Sequence, residues 1–452
     1  MFEAITIRTL DYILLPFFIV AVYAFAYRFR DLHYPKQHPW RKYFIPALSV
    51  KLFGAIFIGM IYAYYYKWGD TYNYFFHSRV INSAFEESPI KWFNLLFRIP
   101  DRFDSEYYEY IRNLEWYTDP ASYTVGAIAA IFGIFTFSTY LPTAALFAAL
   151  SFTGTWALFR TFVKVYPELL RPIAIATLFI PSVFVWGSGI FKDTICMFGI
   201  GWLTYGTFRM LIEGNFKSRN IILTISSFLL IAFVKIYILI AYFPAMLTWA
   251  FFKYMNKITN ASVRFLVRYL LLALIIGGTG VGLQELSKGL GKYSIDKLAT
   301  TSQLNRKYIF YISGEEGSAY SLGDIDPTLG GMLAKFPQAV NVTFFRPYLW
   351  EIKKPIVVLS AIEAIISLFV TLKIIFGLGL KKIIDTIRKE ATVQFSLIFA
   401  IIFAFAVGIS SYNFGTLSRY KIPSMPFLAL AMILIWYKNK PLNKKLIGFL
   451  NI

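Results

Sequence analysis

An acid at residue 70 and two cations at 419 and 421 are the residues of this chain best placed to do chemistry. Arg419-Tyr420-Lys421 runs through Ile422-Pro423-Ser424-Met425-Pro426 into an apolar stretch that ends near Tyr437. Cations at the mouth of an apolar helix are expensive to hold unless they grip something anionic. Each proline pushes the residue before it out of the α region and itself suits a first helical turn, so the two prolines set how the chain starts that helix. Near the other end, Gly69-Asp70-Thr71 follows an apolar run closing on Tyr64-Tyr65-Tyr66. A carboxylate there can accept the proton of a hydroxyl nucleophile within hydrogen-bond reach. It can equally cap the helix that follows, and spacing alone does not choose.

Two other groups of charges stand in apolar surroundings. In Trp186-Gly187-Ser188-Gly189-Ile190-Phe191-Lys192-Asp193 the glycines allow close backbone approach, and an adjacent Lys-Asp pair follows. Isolated charges here would be costly, so they pair with each other, with other residues or with a ligand. Lys192 could hold a phosphate and Asp193 could orient it or serve as a second acid; a structural ion pair between helices is the alternative. In Phe344-Phe345-Arg346-Pro347-Tyr348-Leu349-Trp350-Glu351, tryptophan and tyrosine are ordinary interfacial anchors, whereas Arg346 and Glu351 are charges set among aromatics. Asp70 and Asp193 are thus the candidate catalytic acids. Lys192, Arg346, Glu351, Arg419, Tyr420 and Lys421 are the candidate substrate and phosphate contacts. Glu363, deep in its apolar run, is expected to pair with Lys51 or Lys235.

Other chemistries find little in the sequence. Three histidines and one cysteine give no HExxH or paired CxxC spacing, so no metal site is assigned. No GxxxxGK[ST] loop occurs, which argues against nucleotide hydrolysis. A divalent ion held by Asp70 and water stays open, and the cofactor is unassigned.

The elements that must position these residues are membrane helices. Apolar residues make up 57% of 452 and charged residues 15%, with a mean hydropathy of +0.56; soluble domains carry roughly 25% charged residues. Continuous apolar runs fall near 10–27, 44–66, 121–137, 141–159, 173–187, 190–211, 221–250, 264–284, 355–378, 393–410 and 422–437. In lipid such runs must satisfy their own backbone groups, so they are helices. The expected fold is an all-α, polytopic transmembrane bundle of about 10–12 helices forming one domain. Lys235 is expected to break 221–250, and 121–137 to dip without crossing. The first run reads as a retained helix, because its positive charges follow it.

A net charge of +20 suggests nucleic acid, but its distribution excludes that partner. Arg28, Arg30, Lys36, Arg41 and Lys42 cluster in one loop, Lys381, Lys382, Arg388 and Lys389 in another, and Lys438, Lys440, Lys444 and Lys445 in a third. This is the positive-inside pattern, which places these loops in the cytoplasm. Sixteen of 25 acids lie instead in two polar stretches, nine in 67–120 and seven in 285–353. Both are expected outside, the first with an interfacial helix over 89–100 and a tyrosine-rich helix over 101–117. Tyr107, Tyr108 and Tyr110 would be available there for stacking on a ring-shaped ligand, while 317–320 and 324–331 could cover a site. With Cys196 as the one cysteine, these loops must be held by packing instead of intramolecular disulfides.

An Asp just beyond an early transmembrane helix, interfacial helices in the first long loop, and a late Arg419-Tyr420-x-x-Pro423-x-x-Pro426 leading into a helix together resemble the GT-C superfamily. These integral-membrane glycosyltransferases use polyprenyl-phosphate-linked sugars. The resemblance implies that Asp70 matches the first-loop acid and that Arg419, Tyr420, Pro423 and Pro426 match the C-terminal motif. The chain departs from the commonest pattern in having an extra helix before Asp70 and no adjoining second acid. The layout is also similar to that of O-antigen and exopolysaccharide polymerases. The expectation is sugar transfer from a lipid-linked donor to a glycan or lipid acceptor at the outer face of a bacterial inner membrane. A transporter or flippase of lipid-linked glycans is the alternative of another class; Glu363, Lys235 and Lys51 favour it, while the lack of repeat halves opposes it.

Overall fold

The computed structural model of the chain describes residues 7–255, 260, 263, 318–323, 326, 329–448, 450 and 452. Among them every regular element is a helix, and the β pairing is a single bridge between Ala319 and Asn413. Seven helices are long and apolar enough to cross a membrane, and up to eight if a bent pair counts as one span. The chain is an all-α, multi-pass membrane protein. The stretch 121–137, expected to dip without crossing, and the expected span 173–187 are short helices. The first is α6, Pro120–Phe135, whose 16 residues extend about 24 Å, less than a hydrocarbon layer of roughly 30 Å. The second is split into α8 (Leu170–Leu178) and α9 (Pro181–Trp186). The expected span 264–284 lies outside the described residues.

Two compact units divide the chain. The first comprises Met1–Leu170, Val183–Gly206 and Lys217–Ile236; the second comprises Arg171–Ser182, Thr207–Phe216 and Tyr237–Ile452.

In the first unit, α1 (Thr9–His33) and α2 (Arg41–Met60) both pack on α7 (Tyr140–Val165). Asp11 is buried in α1, where one oxygen accepts the Arg8 amide of its own helix start. The other accepts the Leu141 amide at 2.7 Å. It thereby satisfies one of the amides that the first turn of α7 leaves open. Gly154 of α7 meets α10 (Lys192–Thr207) backbone to backbone, since a Cβ on Gly201 would lie 1.9 Å from the Gly154 carbonyl oxygen. Small residues at such crossings let membrane helices approach closely.

The first long loop folds into a packed cap. α3 (Asp70–Glu87) lies along α6, and α4 (Pro89–Leu96) starts at Ser88, whose hydroxyl accepts the Ile90 amide. Val80, Ile81 and Leu95 share a core with Ile111, Leu114 and Tyr123. Packing therefore holds this loop, as the lack of disulfides required. The 101–117 stretch differs from expectation, being a run of turns with one helical turn, α5, at Tyr108–Ile111. Tyr107 is buried and accepts from Asn94, Tyr110 donates to Glu87, and the exposed Tyr108 carries the Arg112 guanidinium over its ring at 5.9 Å.

His77 makes this cap acid-sensitive. It is buried beside the Trp116 ring with Nδ1 unbonded, and burial alone pushes its pKa down to about 4. An unfolded histidine titrates near 6.5. The unfolded chain therefore binds the extra proton first, and stability present above about pH 6.5 is lost as pH falls toward 4. At about 1.4 kcal/mol per pH unit the loss approaches about 3 kcal/mol. His77→Gln should flatten thermal-melting curves measured in detergent between pH 7 and 4.5. Wild-type and variant curves that stay parallel would refute this.

In the second unit, α12 (Leu329–Ala334) leads into α13 (Phe336–Phe345), which packs on α14 (Pro355–Leu378) and α16 (Ala391–Ser411). Between the last two runs the basic α15, Leu380–Lys389. α17 (Phe414–Tyr420) and α18 (Met425–Tyr437) form the bent pair, their axes 68° apart, with Pro426 in the first turn of α18 as its sequence demands.

Candidate functional site

The residues around Asp70 are fixed from both sides of the chain. α2 ends in a π-helical turn at Ile61–Tyr65, a feature common at functional sites. The chain then turns sharply at Lys67 (φ 62°) and Gly69 (φ 151°) to begin α3 at Asp70. Only glycine sits easily at Gly69, because the φ is left-handed and a Cβ would strike the Tyr62 ring at 2.4 Å. Gly69 is also the residue that caps α3, so Asp70 stands inside the first turn and is not the cap. The two residues after it are fully buried anchors. Thr71 and Tyr140 share a hydroxyl hydrogen bond of 2.6 Å; Tyr72 stacks on Tyr140 and donates to the Gly59 carbonyl at 2.9 Å. Asp70 itself is half-buried at the end of this anchored turn.

Tyr62 connects that turn to the second motif. It also meets Phe191, edge to face at 5.8 Å between ring centres, and Phe191 immediately precedes Lys192 at the start of α10. Lys192 Nζ lies 3.4 Å from an Asp119 oxygen that also accepts the Ser122 hydroxyl at 2.6 Å. The Tyr62–Phe191 contact thus links the turn before Asp70 to the start of α10, where Lys192 meets Asp119. Asp119 was not singled out by its sequence, since an Asp before Pro120 reads as a helix start. The acid-rich loop that carries it was the available signal.

Asp193 points elsewhere. Fully buried, it forms an ion pair with Lys235, whose non-helical backbone (φ −151°, ψ 77°) breaks α11, Ser218–Met255. The break was legible as a lysine in an apolar run, and the Lys192-Asp193 neighbours pair with different partners instead of each other. Lys51 is buried without a carboxylate: its three protons go to the Ser151 hydroxyl and the carbonyls of Val183 and Gly187 at 2.8–3.1 Å. The expected pairing of Glu363 with Lys51 or Lys235 is therefore not made, because both amines are engaged within the first unit.

Glu363 finds its charge partner within the second unit. It accepts the Ser182 amide at 2.5 Å, and the opposite charge acting on it is Lys421. Lys421 closes α17 at the break before α18 and is fully buried, which differs from the solvated helix mouth expected of it. The Lys421 amine and the second Glu363 oxygen have no hydrogen-bond partner. Arg419 and Tyr420, the two residues before it, remain partly exposed.

Arg346 and Glu351 form a two-pronged ion pair, and Glu351 also accepts the Tyr348 amide at 2.8 Å. Burial pushes the Glu351 carboxyl up, but the guanidinium and that amide outweigh it and hold it below the ordinary range. The pair therefore persists until pH falls below ordinary carboxylate values. Arg346 also lies over the Tyr348 and Phe414 rings, and Phe414 opens the helix that carries Arg419. Ser318–Tyr320 runs alongside Tyr412–Phe414 through two backbone hydrogen bonds, so this part of the expected cover lies against the start of α17. Gly317, Asp324 and most of the second long loop lie outside the described residues.

Among the described residues no three His, Cys, Asp or Glu side chains gather as a metal site. No protein family, curated protein or solved structure matches the chain. Its function has to be read from its own side chains.

Proposed function

We propose that this membrane protein is a GT-C-like glycosyltransferase of a bacterial cytoplasmic membrane. It would move a sugar from a polyprenyl-phosphate donor to an acceptor hydroxyl at the outer face, in cell-surface glycan assembly. The observation that carries the reading is the Tyr62 neighbourhood, which sets the turn bearing Asp70 beside the Phe191-Lys192 step and its partner Asp119. In the reaction the acceptor oxygen bonds the anomeric carbon as the bond from that carbon to the phosphate oxygen breaks. The proton passes to Asp70, and the lipid phosphate leaves with the electron pair. Lys192 meets the charge growing on that phosphate, the kind of electrostatic help that is often the largest part of catalysis. Within the second unit, taken by itself, Arg346, held in place by Glu351, and Arg419, with Tyr420 beside it, are proposed anion contacts for a lipid-linked ligand. Lys421 drops out of this set because burial keeps it from any surface.

Purified protein given polyprenyl-phosphate sugars should release the lipid phosphate in step with sugar transfer. Products that grow by oligosaccharide blocks would assign it instead to the polymerases. Arg419→Ala should weaken donor affinity roughly tenfold to a hundredfold, the value of a hydrogen bond to a charged group. Unchanged affinity with normal expression removes the phosphate-gripping role.

A second reading, translocation of a lipid-linked glycan, is favoured by the buried charges at helix breaks, Asp193 with Lys235 and Glu363 with Lys421. It requires movement of the intact lipid-linked glycan across a vesicle bilayer with no phosphate release.

A further inference from the structure

Between α1 and α2 of the first unit lie two cavities that share Ile45. One, of about 490 Å³, is lined by Val20, Tyr23, Ala24 and Tyr27 of α1 and by Ile45 and Ser49 of α2. The other, of about 450 Å³, lies where the two helices join and is lined by Arg30, Lys36, His38, Arg41 and Lys42 together with Ile45. The spacing makes them one groove. Val20, Tyr23, Tyr27 and Arg30 follow each other at helical steps of three or four along α1, as do Ser49, Ile45 and Arg41 along α2 in the opposite sense. Ten residues of α1 between Val20 and Arg30 extend about 15 Å, roughly the hydrocarbon depth of one bilayer leaflet.

Chemistry changes along that groove from apolar to cationic. Along the apolar length the Ser49 hydroxyl is taken up by the Tyr23 hydroxyl at 2.7 Å and the Ile45 carbonyl at 3.0 Å, so the wall remains hydrophobic. At the junction Arg30 lies over the Tyr27 ring, 4.6 Å from its centre. Asp31 takes up Arg30 and Arg41, each at 2.7 Å. Burial lowers His38, which leaves it neutral. Lys36 and Lys42 are exposed and make no ion pair among the described residues, and Lys42 rests near the Tyr43 ring. Four cations against one carboxylate leave an excess of three positive charges at the head of an apolar trough.

We propose that this groove is a binding site for one anionic phospholipid, its phosphate held by Lys36, Lys42 and Arg41 and an acyl chain lying along Tyr23, Tyr27 and Ile45. A soluble anion would use the cations but has no need of the apolar length. A zwitterionic lipid would use the apolar length but gains little from three unbalanced positive charges. Only a lipid with net negative charge uses both, and basic pockets between membrane helices bind such headgroups. The site is independent of the glycosyltransferase reading, since none of its residues belongs to the Asp70 neighbourhood.

Delipidated protein in detergent is offered equimolar phosphatidylglycerol and phosphatidylcholine and analysed by native mass spectrometry. One phosphatidylglycerol should be retained, at least tenfold over phosphatidylcholine. Lys36→Gln with Lys42→Gln should weaken retention about 25-fold, about fivefold for each lysine. Both side chains are exposed, so the fold does not depend on them. Ala24→Trp, on the exposed face of α1, fills the apolar end and should also reduce retention while leaving the cations in place. Equal retention of the two lipids, indifference to the paired lysine substitution, or full displacement by millimolar inorganic phosphate would each overturn the proposal. Insensitivity to Ala24→Trp would do so as well, because it leaves a headgroup-only anion site.

Discussion

Asp70→Asn is expected to abolish turnover while leaving donor affinity and detergent stability close to wild type. The reason lies in what Asp70 does not do. The cap of α3 is Gly69, so replacing Asp70 removes no capping residue. A negative charge in the first turn favours a helix by about 0.3–1 kcal/mol, too little to unfold a turn anchored by buried Thr71 and Tyr72. Loss of a general base removes about 10²–10⁴ in rate. The expected signature is thus a fall of at least a hundredfold in turnover at saturating donor with melting temperature nearly unchanged. Gly69→Ala supplies the complement. It keeps the carboxylate but forces a Cβ into Tyr62 at a left-handed φ, so turnover should fall because Asp70 is moved. If Asp70→Asn keeps activity within about threefold of wild type, Asp70 is not the base and Asp119 becomes the acid to test.

What the sequence made legible and what it hid follow one physical line. Backbone satisfaction in lipid is local, so continuous apolar runs announce helices, Lys235 announces a break, and Pro426 announces a first turn. Charge partners are not local. Lys51 gives its protons to residues 100 to 136 positions away, two of them backbone carbonyls that carry no sequence signal. Lys421 looked like a helix-mouth cation because its neighbours are polar or proline; the bend between α17 and α18 turns it inward. The tyrosines at 107 and 110 looked free because nothing near them in sequence shows that Asn94 and Glu87 will engage them. Likewise a run's composition does not reveal how long an unbroken helix it makes, and the run 173–187 is split into α8 and α9.

The buried Asp193–Lys235 pair carries the second large effect, and it separates a structural acid from a catalytic one. Lys235→Met should destabilise the protein by about 3–5 kcal/mol, because it leaves Asp193 charged and buried without its amine. Asp193→Leu alone should do comparable damage by stranding the ammonium at the break in α11. The double substitution removes both charges and fills the space with apolar atoms, a change that is often neutral or stabilising for buried pairs. Thermal unfolding in detergent should therefore show two unstable single variants and a double variant near wild type. Turnover of the double variant then decides the role of Asp193. A stable double variant with near-normal lipid-phosphate release makes the pair a structural lock at the kink. A stable double variant without turnover returns Asp193 to the catalytic set, since its fold-holding role has already been replaced. Single and double variants of equal stability would show instead that the pair contributes nothing, and the argument from burial would fail with it.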